Sequence, residues 1–178
     1  MQNDPRTAGS SNDEFARARA GKHLAFELGG ETYGIEVLSV HEIIRLADTT
    51  RVPKTPQYVR GVINLRGKII PVIDMRLKFG LEQRDDSERT CIIVVQAGGQ
   101  SEVNVGLVVD EVSEVIEIAG DQIERPPWFG SSDSPKFVAG MGKVEERVVI
   151  LLDMDSVLSN QDVGMMSQLL AASELTEA

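Results

Sequence analysis

The 178-residue chain is poor in the residue types from which many catalytic and metal sites are built. Its single cysteine, Cys91, excludes an internal disulfide framework and any zinc site with several cysteine ligands. Its two histidines, His23 and His41, leave little material for a catalytic or metal centre based on imidazole. We therefore expect neither a bound metal nor a cofactor.

The chain also has few basic residues and no long apolar run. The chain carries 18 Lys and Arg residues against 28 Asp and Glu residues, a net charge of −10. A general nucleic-acid binder needs basic side chains that displace counterions from phosphate, so we expect no nucleic-acid partner. No apolar run approaches the roughly 20 residues that span a bilayer, and the N-terminus lacks the apolar stretch of a signal peptide. These features predict a soluble, cytoplasmic protein without direct membrane insertion.

The basic residues that are present cluster in the middle of the chain. Within residues 45–78 the acidic residues Asp48 and Asp74 stand against eight basic residues: Arg45, Arg51, Lys54, Arg60, Arg66, Lys68, Arg76 and Lys78. Such an asymmetry is typical of a surface that interacts with a partner, but it is also compatible with an ordinary solvated face. The sequence leaves both interpretations open.

Short apolar segments separated by glycine and proline predict a protein made mainly of β-strands. Hydrophobic residues make up 42% of the chain, which is enough for a real core. Gly29-Gly30 separates two such segments and predicts a β-hairpin, because glycine accepts the positive φ of tight hairpin turns. Arg66-Gly67 lies between two further segments and predicts a second hairpin. Many short strands with this punctuation favour a barrel or a sandwich.

Three details of individual elements can also be predicted. Pro71 cannot donate a hydrogen bond to a ladder, so we expect its strand at a sheet edge or the proline at a bulge. The uninterrupted apolar runs 91–95 and 148–152 are typical of strands that are buried on both faces. Apolar residues recur at helical spacing near the C-terminus and predict a short amphipathic helix, whose methionine-rich face packs on its own domain or meets a partner.

An internal repeat is the most informative feature of the sequence. Residues 34–44 align with residues 106–116, and residues 61–75 align with residues 140–154, where both copies end in Asp-Met. The Gly-Gly pair also recurs, at residues 98–99. The β-branched residues of the second copy favour a strand, a tight turn and a strand in the first copy over a long helix. The repeat therefore predicts two similar β units that share one core.

The repeat places Asp74 and Asp153 at equivalent positions, and two such carboxylates can build the proton-sharing pair of an aspartic protease. Each aspartate, however, follows an apolar strand and precedes a methionine, a context typical of an aspartate that caps a turn. A hydrolase that uses Asp74 and Asp153 is therefore a distant alternative to a function without catalysis.

A binding surface is the remaining candidate for function. Arg66 would be presented outward by its rigid hairpin, either as an ordinary solvated turn residue or as part of an interaction site. If two β units pack side by side, a groove must run between them. Exposed strand edges beside such a groove can accept a partner helix or strand.

Several segments resemble motifs of the CheW family. Residues 33–43, with the sequence YGIEVLSVHEI, are similar to the opening signature of that family. Residues 61–67, GVINLRG, and residues 71–76, PVIDMR, resemble its central motif. Residues 106–115, GLVVDEVSEV, resemble the motif of its second half. The chain is identified as a member of this family, closest to its stand-alone adaptors.

The resemblance implies a fold that agrees with the repeat. It implies a mainly β protein of two SH3-like, five-stranded β-barrel subdomains around a shared hydrophobic core, with a short C-terminal helix. The expected division is a flexible leader at 1–22, a CheW-like domain at 23–158, and a C-terminal helix and tail at 159–178. Within the domain we expect the first β unit at 23–88 and the second at 89–154, with strand exchange between them left open.

The resemblance also implies a non-catalytic role in chemotaxis signal transduction. Members of the family couple transmembrane chemoreceptors to the CheA histidine kinase. The expected partners are a CheA-type kinase and the cytoplasmic tip of methyl-accepting chemoreceptors, in a bacterial cytoplasm and at membrane-associated receptor arrays. An adaptor of a non-motility chemosensory pathway would have the same fold and mechanism, and the sequence does not distinguish the two.

Individual site residues follow from positions that match the family's motifs. The positions that match receptor contacts are Arg66, Cys91, Gly106, Val112 and Val115. The positions that match kinase contacts are Val40, Glu42 and Gly61. The long leader, the loop at residues 128–134 and the cysteine at a position where a β-branched residue is usual depart from the family pattern. These departures leave the identity of the receptor open.

Overall fold

The computed structural model describes residue 14 and residues 16–97, 103–126, 137–158 and 160–176. The first part of the leader, the second Gly-Gly pair at residues 98–99 and the loop at residues 128–134 lie outside the described residues. The described strands are β1 (Gly21–Leu28), β2 (Glu31–Glu36), β3 (Val40–Arg45), β4 (Val59–Leu65), β5 (Lys68–Asp74), β6 (Cys91–Ala97), β7 (Val103–Val109), β8 (Glu111–Ile118), β9 (Ile123–Glu124), β10 (Val138–Val144) and β11 (Arg147–Leu152). The α-helices are α1 (Met75–Lys78), α2 (Met154–Val157) and α3 (Asn160–Thr176).

The strands form two sheets that are interleaved along the chain. The first sheet has the strand order β8-β1-β2-β11-β10-β9, and the second has the order β3-β6-β7-β5-β4. Most neighbouring strands are antiparallel, but β2 and β11 are parallel, as are β5 and β7. The mainly β fold with two subdomains is thereby confirmed. Each sheet takes strands from both of the predicted units, 23–88 and 89–154.

Both predicted hairpins are present. β1 and β2 are joined by Gly29 and Gly30, which have φ values of 61° and 84°. β4 and β5 are joined by Arg66 and Gly67, which have φ values of 55° and 85°. The segment 34–44 is also confirmed as a strand, a tight 3-10 turn (Val37–Ser39) and a second strand.

Two predictions about individual strands are wrong. Pro71 lies in β5, which pairs with β4 on one side and β7 on the other, so its strand is not at a sheet edge. The proline is tolerated because the ladder to β7 begins at Val72, one residue later. The irregularity in the ladder to β4 lies between Val59 and Gly61 and not at the proline. Val148 is 53% exposed, so β11 is not buried on both faces over its whole length.

Three hydrophobic clusters stabilise the two sheets. The largest combines residues of both sheets and confirms the predicted shared core; its members include Phe26, Leu28, Ile35, Ile73, Ile93, Val95, Val105, Leu107 and Leu152. The second sheet has a cluster of its own, formed by Ile63, Ile70, Val72, Ile92, Val94 and Val108. The first sheet has another, formed by Ala16, Ala25, Ile116, Ile118, Ile123, Val149 and Leu151. Alternate residues of β6 therefore enter different clusters, which explains its continuous apolar run.

The second sheet curls so that its two outermost strands approach each other. Thr50, in the segment that follows β3, forms an isolated antiparallel bridge with Val62 of β4. The two N–H···O distances of this bridge are 2.8 and 2.9 Å. Gly61 permits the approach, since a Cβ atom at this position would lie 2.1 Å from the carbonyl oxygen of Thr50. The curl brings the chain near β3 against the β4–β5 hairpin.

Both ends of the described chain pack against the sheets. Residues 16–19 form a helical turn, and Ala16 is buried in the first sheet's cluster. Nε of Arg19 donates a hydrogen bond to the carbonyl oxygen of Ala139 at 2.7 Å, so the packed chain begins earlier than residue 23. At the other end α3 buries Met166 in the shared core. Among the helices of the described segments, none combines the length and apolar character needed to cross a membrane.

Candidate protein-binding surface

The turn between β4 and β5 presents a basic side chain on a rigid support. Arg66 and Gly67 both have positive φ, the combination that a two-residue type I′ hairpin turn requires. Oδ1 of Asn64 accepts a hydrogen bond from the Gly67 N–H at 2.9 Å. The turn thereby holds Arg66 at the tip of the hairpin, with 73% of its side chain exposed.

Arg66 is paired with a carboxylate from the opposite edge of the second sheet. Its Nη1 and Nη2 atoms donate to Oε2 and Oε1 of Glu42, each at 2.8 Å. Such a bidentate arrangement fixes the relative orientation of the two side chains. It was not predictable from the sequence, because the two residues lie 24 positions apart and meet through the curl of the sheet. A predicted receptor contact is thus joined directly to a predicted kinase contact.

The two other residues predicted to contact the kinase carry no charge and are half-buried or buried. Val40 begins β3 and is half-buried against the shared core. Gly61 is buried in β4, where the backbone of Thr50 leaves no room for a side chain. Glu42 is therefore the member of this set that offers a charged group at the surface.

Cys91 and Val112 lie near the place where the two sheets meet, and Val115 lies three residues further along β8. Cys91 begins β6 of the second sheet, and its thiol is hydrogen-bonded to the backbone of Val112 in β8 of the first sheet. Val112 is half-buried against the shared core, whereas Val115 is 56% exposed on an outermost strand. Burial raises the pKa of the Cys91 thiol. The thiol is therefore protonated at neutral pH and is not an activated nucleophile.

An open groove of about 760 Å³ runs beside Cys91. Its lining comes from β3 and from the segment that leads into β6, and includes Ile43, Ile44, Arg45, Leu46, Glu88 and Arg89. Ile43 is 45% exposed, an unusual degree for an isoleucine on a strand. This edge of the second sheet therefore offers apolar area to a partner, which motif matching had missed.

Leu38 is a second exposed apolar residue that motif matching missed. It lies in the 3-10 turn between β2 of the first sheet and β3 of the second, and it is 97% exposed. The repeat contained a signal for it, because the alignment places Leu38 opposite the charged Asp110. A leucine at a position that the other copy fills with a carboxylate is a candidate partner contact.

Gly106 lies in the interior of the second sheet and not on its surface. It is buried in β7, opposite Val72 of β5 and Val94 of β6. A Cβ atom at this position would lie 2.8 Å from Cγ2 of Ile92. A larger residue at position 106 would therefore disturb the packing of β6 against β7, and would affect a binding surface only indirectly.

The aspartates of the repeat act separately, as helix caps. Oδ1 of Asp74 accepts a hydrogen bond from the Arg76 N–H at 3.0 Å, at the start of α1. Oδ1 of Asp153 accepts one from the Asp155 N–H at 3.1 Å, at the start of α2. The two carboxylates line different cavities. The structure therefore supports the capping interpretation and not a proton-sharing pair.

Comparison with known proteins decides the family of the chain. The model of the CheW-like domain matches residues 22–162. The chain belongs to the CheW family. The matched segment runs from β1 to the first turn of α3 and contains every site residue that the CheW resemblance had suggested.

The relatives of this CheW-family chain are similar over most of its length. The chemotaxis protein CheW of Klebsiella aerogenes is 39% identical over 142 residues, which cover 80% of this chain and 84% of the relative. The chemotaxis protein CheW of Bacillus subtilis is 33% identical over 140 residues, covering 79% and 88%. The crystal structure of the scaffolding protein TtCheW from Thermoanaerobacter tengcongensis matches with a TM-score of 0.71 and 38% identity, over 80% of this chain and 95% of that chain.

Proposed function

We propose that this chain is a non-catalytic adaptor of chemotaxis that couples transmembrane chemoreceptors to a CheA-type histidine kinase. Its family and the names of its relatives, chemotaxis protein and scaffolding protein, support this role. The observation that carries the proposal is the ion pair between Glu42 and Arg66, because it connects the two sets of predicted contact residues. The adaptor would act in the cytoplasm, at membrane-associated receptor arrays.

The proposed receptor site is the region where the two sheets meet. The exposed Val115 and the half-buried Val112 offer apolar contacts to the tip of a receptor's helical hairpin. Cys91 extends this surface toward the groove beside β3. Arg66 would pair with a polar or acidic group of the receptor, for which its exposed guanidinium is suited.

The proposed kinase site is the edge of the second sheet at β3. Outermost strands present backbone N–H and C=O groups with which a strand of another barrel can pair. Val40 and Glu42 lie on this strand, and the exposed Ile43 adds apolar area beside them. Gly61 would serve the same site indirectly, because it permits the close approach of the chain that follows β3.

The Glu42–Arg66 pair gives the two sites a physical connection. An adaptor transmits a signal when one partner changes the affinity of the other. An acidic receptor group that binds Arg66 would compete with Glu42 for the same guanidinium. The released carboxylate would then change the charge that β3 presents to the kinase. Because Arg66 is largely exposed, its pair contributes about 1 kcal/mol or less, so a partner can displace it.

The substitution Arg66→Glu in the full chain tests this function. Co-sedimentation with receptor fragments and kinase should show receptor binding that is weaker by roughly tenfold or more, because the reversed charge repels an acidic group of the receptor. The fold should remain intact by circular dichroism. Glu145 occupies the equivalent position in the turn between β10 and β11 and has a φ of 57°. Glutamate is therefore tolerated in this conformation.

Lys143→Glu is the matched control for this substitution. Lys143 is an exposed basic residue of the β10–β11 hairpin, paired with Glu124 at 2.5 Å. Its reversal changes the net charge by the same amount and should leave receptor binding unchanged. Unaltered receptor binding by a folded Arg66→Glu variant would contradict the proposed role of Arg66.

A further inference from the structure

The C-terminal helix is tied to the second sheet through one buried carboxylate. In the sequence, α3 follows β11, a strand of the first sheet, and the short helix α2. Asp162, in the first turn of α3, nevertheless binds two residues that flank strands β4 and β5 of the second sheet. Nζ of Lys78 lies 2.8 Å from its Oδ2 atom, and the hydroxyl of Tyr58 donates a hydrogen bond to its Oδ1 atom. Asp162 itself is 5% exposed.

Tyr58 and Lys78, which both bind Asp162, are themselves fixed to the second sheet. Tyr58 directly precedes β4, and its carbonyl oxygen accepts a hydrogen bond from the Asp74 N–H at 2.7 Å. Its side chain packs against the shared core. Nζ of Lys78, at the end of α1, lies 4.3 Å from the centroid of the Tyr58 ring, a favourable cation–π distance. Tyr58, Lys78 and Asp162 thus form one compact cluster, which we term the α3 lock.

Beyond the lock, α3 completes the shared core. Val163 and Met166 are buried in it, and Leu170 packs at its margin. The segment that matches the family ends at residue 162, so these apolar residues lie beyond it. Most of the stability of a helix within a protein comes from tertiary packing, so α3 depends on this packing and on the α3 lock.

We propose that α3 is a latch, an element that opens on its own and that the α3 lock holds closed over the shared core. Loss of the Lys78 ion pair makes burial of the Asp162 carboxylate strongly unfavourable, because breaking a buried ion pair by removing one member is costly. Val163 and Met166 therefore leave the core together with Asp162, and opening is a single cooperative step. An open latch uncovers core surface to which both sheets contribute. The latch does not depend on the proposed adaptor function.

Amide hydrogen exchange of the full chain, read by mass spectrometry, tests the latch. In the unmodified chain the amides of α3 should exchange faster than those of β6, because local opening needs less free energy than global unfolding. Asp162→Asn keeps the shape of the side chain and removes its charge. It should accelerate exchange in α3 by roughly a hundredfold and leave β6 unchanged. Lys78→Met should act in the same way, and the double variant should show less than the product of the two single effects.

Two further variants complete the experiment. Lys143→Met removes an exposed ion pair with Glu124 and should leave exchange in α3 unchanged. Tyr58→Phe keeps the ring but removes one hydrogen bond, so it should accelerate exchange in α3 by roughly tenfold, even where the charge variants do not fold. Equal exchange of α3 and β6 in the unmodified chain, or equal acceleration of both by the variants, would overturn the proposal. An α3 that exchanges at the same rate in every variant would overturn it as well.

Discussion

Asp74 and Asp153 occupy equivalent positions of the repeat but differ in burial. Both cap the helix that follows them. Asp74 is 3% exposed and lies 3.0 Å from Nη2 of Arg60, whereas Asp153 is exposed to solvent. One position therefore combines a cap with a buried charge pair, and the other is a cap alone.

We predict that the two aspartates differ in their contribution to stability. Asp74→Ala should lower the free energy of unfolding by roughly 2 to 3 kcal/mol, because it removes the cap and the pair with Arg60. Asp86 remains beside Arg60 at 2.8 Å and limits the loss. Asp153→Ala should cost about 1 kcal/mol, the value of an ordinary cap. Urea denaturation of the two variants measures both values, and equal losses would show that the buried pair adds nothing to the cap.

At the scale of elements, strands, turns and the two hairpins with a local signal were predictable, whereas the pairing of strands far apart in the chain was not. The Gly29-Gly30 turn could be predicted because its positive φ values depend on the residues of the turn alone. The parallel ladder that sets Val72 of β5 opposite Gly106 of β7 depends on residues far apart in the chain. No local pattern specifies such a contact, so the sequence predicts Pro71 at a sheet edge or at a bulge, whereas its strand pairs on both sides.

The attachment of α3 to the second sheet can be followed through the pKa of Tyr58, because Tyr58 is hydrogen-bonded to Asp162 of α3. Burial, followed by the hydrogen bond and the charge of Asp162, raises the pKa of Tyr58 from its ordinary 10.0 to about 12. The folded chain therefore favours the neutral phenol. The stability that this contributes is fully present below pH about 10 and is lost as the pH rises through about 12.

An absorbance titration of tyrosinate should resolve this effect. Tyr58 should ionise near pH 12 in the unmodified chain, and Asp162→Asn should lower its pKa toward 10.0, because the nearby negative charge is gone. The pKa of Tyr33, the other tyrosine, is raised chiefly by burial, so Tyr33 should keep its titration and serves as an internal reference. An unchanged titration of both tyrosines in Asp162→Asn would mean that Tyr58 is not coupled to α3.

At the scale of the whole molecule, the repeat predicted two units and a shared core but not the path of the chain. The chain starts in the first sheet, passes to the second for β3 to β7 and returns to the first for β8 to β11. In the candidate site, too, the individual residues were predictable and their contact was not. Arg66 and Glu42 could each be found by motif, whereas their ion pair depends on the curl of the second sheet.

The two sheets carry similar ion pairs at similar places. In the second sheet Glu42 on the outermost β3 pairs with Arg66 at 2.8 Å. In the first sheet Glu114 on the outermost β8 pairs with Arg147 of β11 at 2.8 Å. The repeat places Glu42 opposite Glu114, so one carboxylate position is used twice. Only the pair in the second sheet connects residues that we assign to two different partners, and the other pair is therefore its natural control.

We predict that Glu42→Gln affects the two partners in opposite directions. The loss of the Glu42 carboxylate frees Arg66 for an acidic receptor group and should raise receptor affinity by up to about fivefold, the equivalent of about 1 kcal/mol. Removal of the carboxylate from β3 should weaken kinase binding by a similar factor. Glu114→Gln should change neither affinity, and both variants should lose less than about 1 kcal/mol of stability. Separate calorimetric titrations with a receptor fragment and with the kinase measure these values. If Glu42→Gln weakens both partners alike, Glu42 is a contact in one common surface, and the proposed competition for Arg66 is wrong.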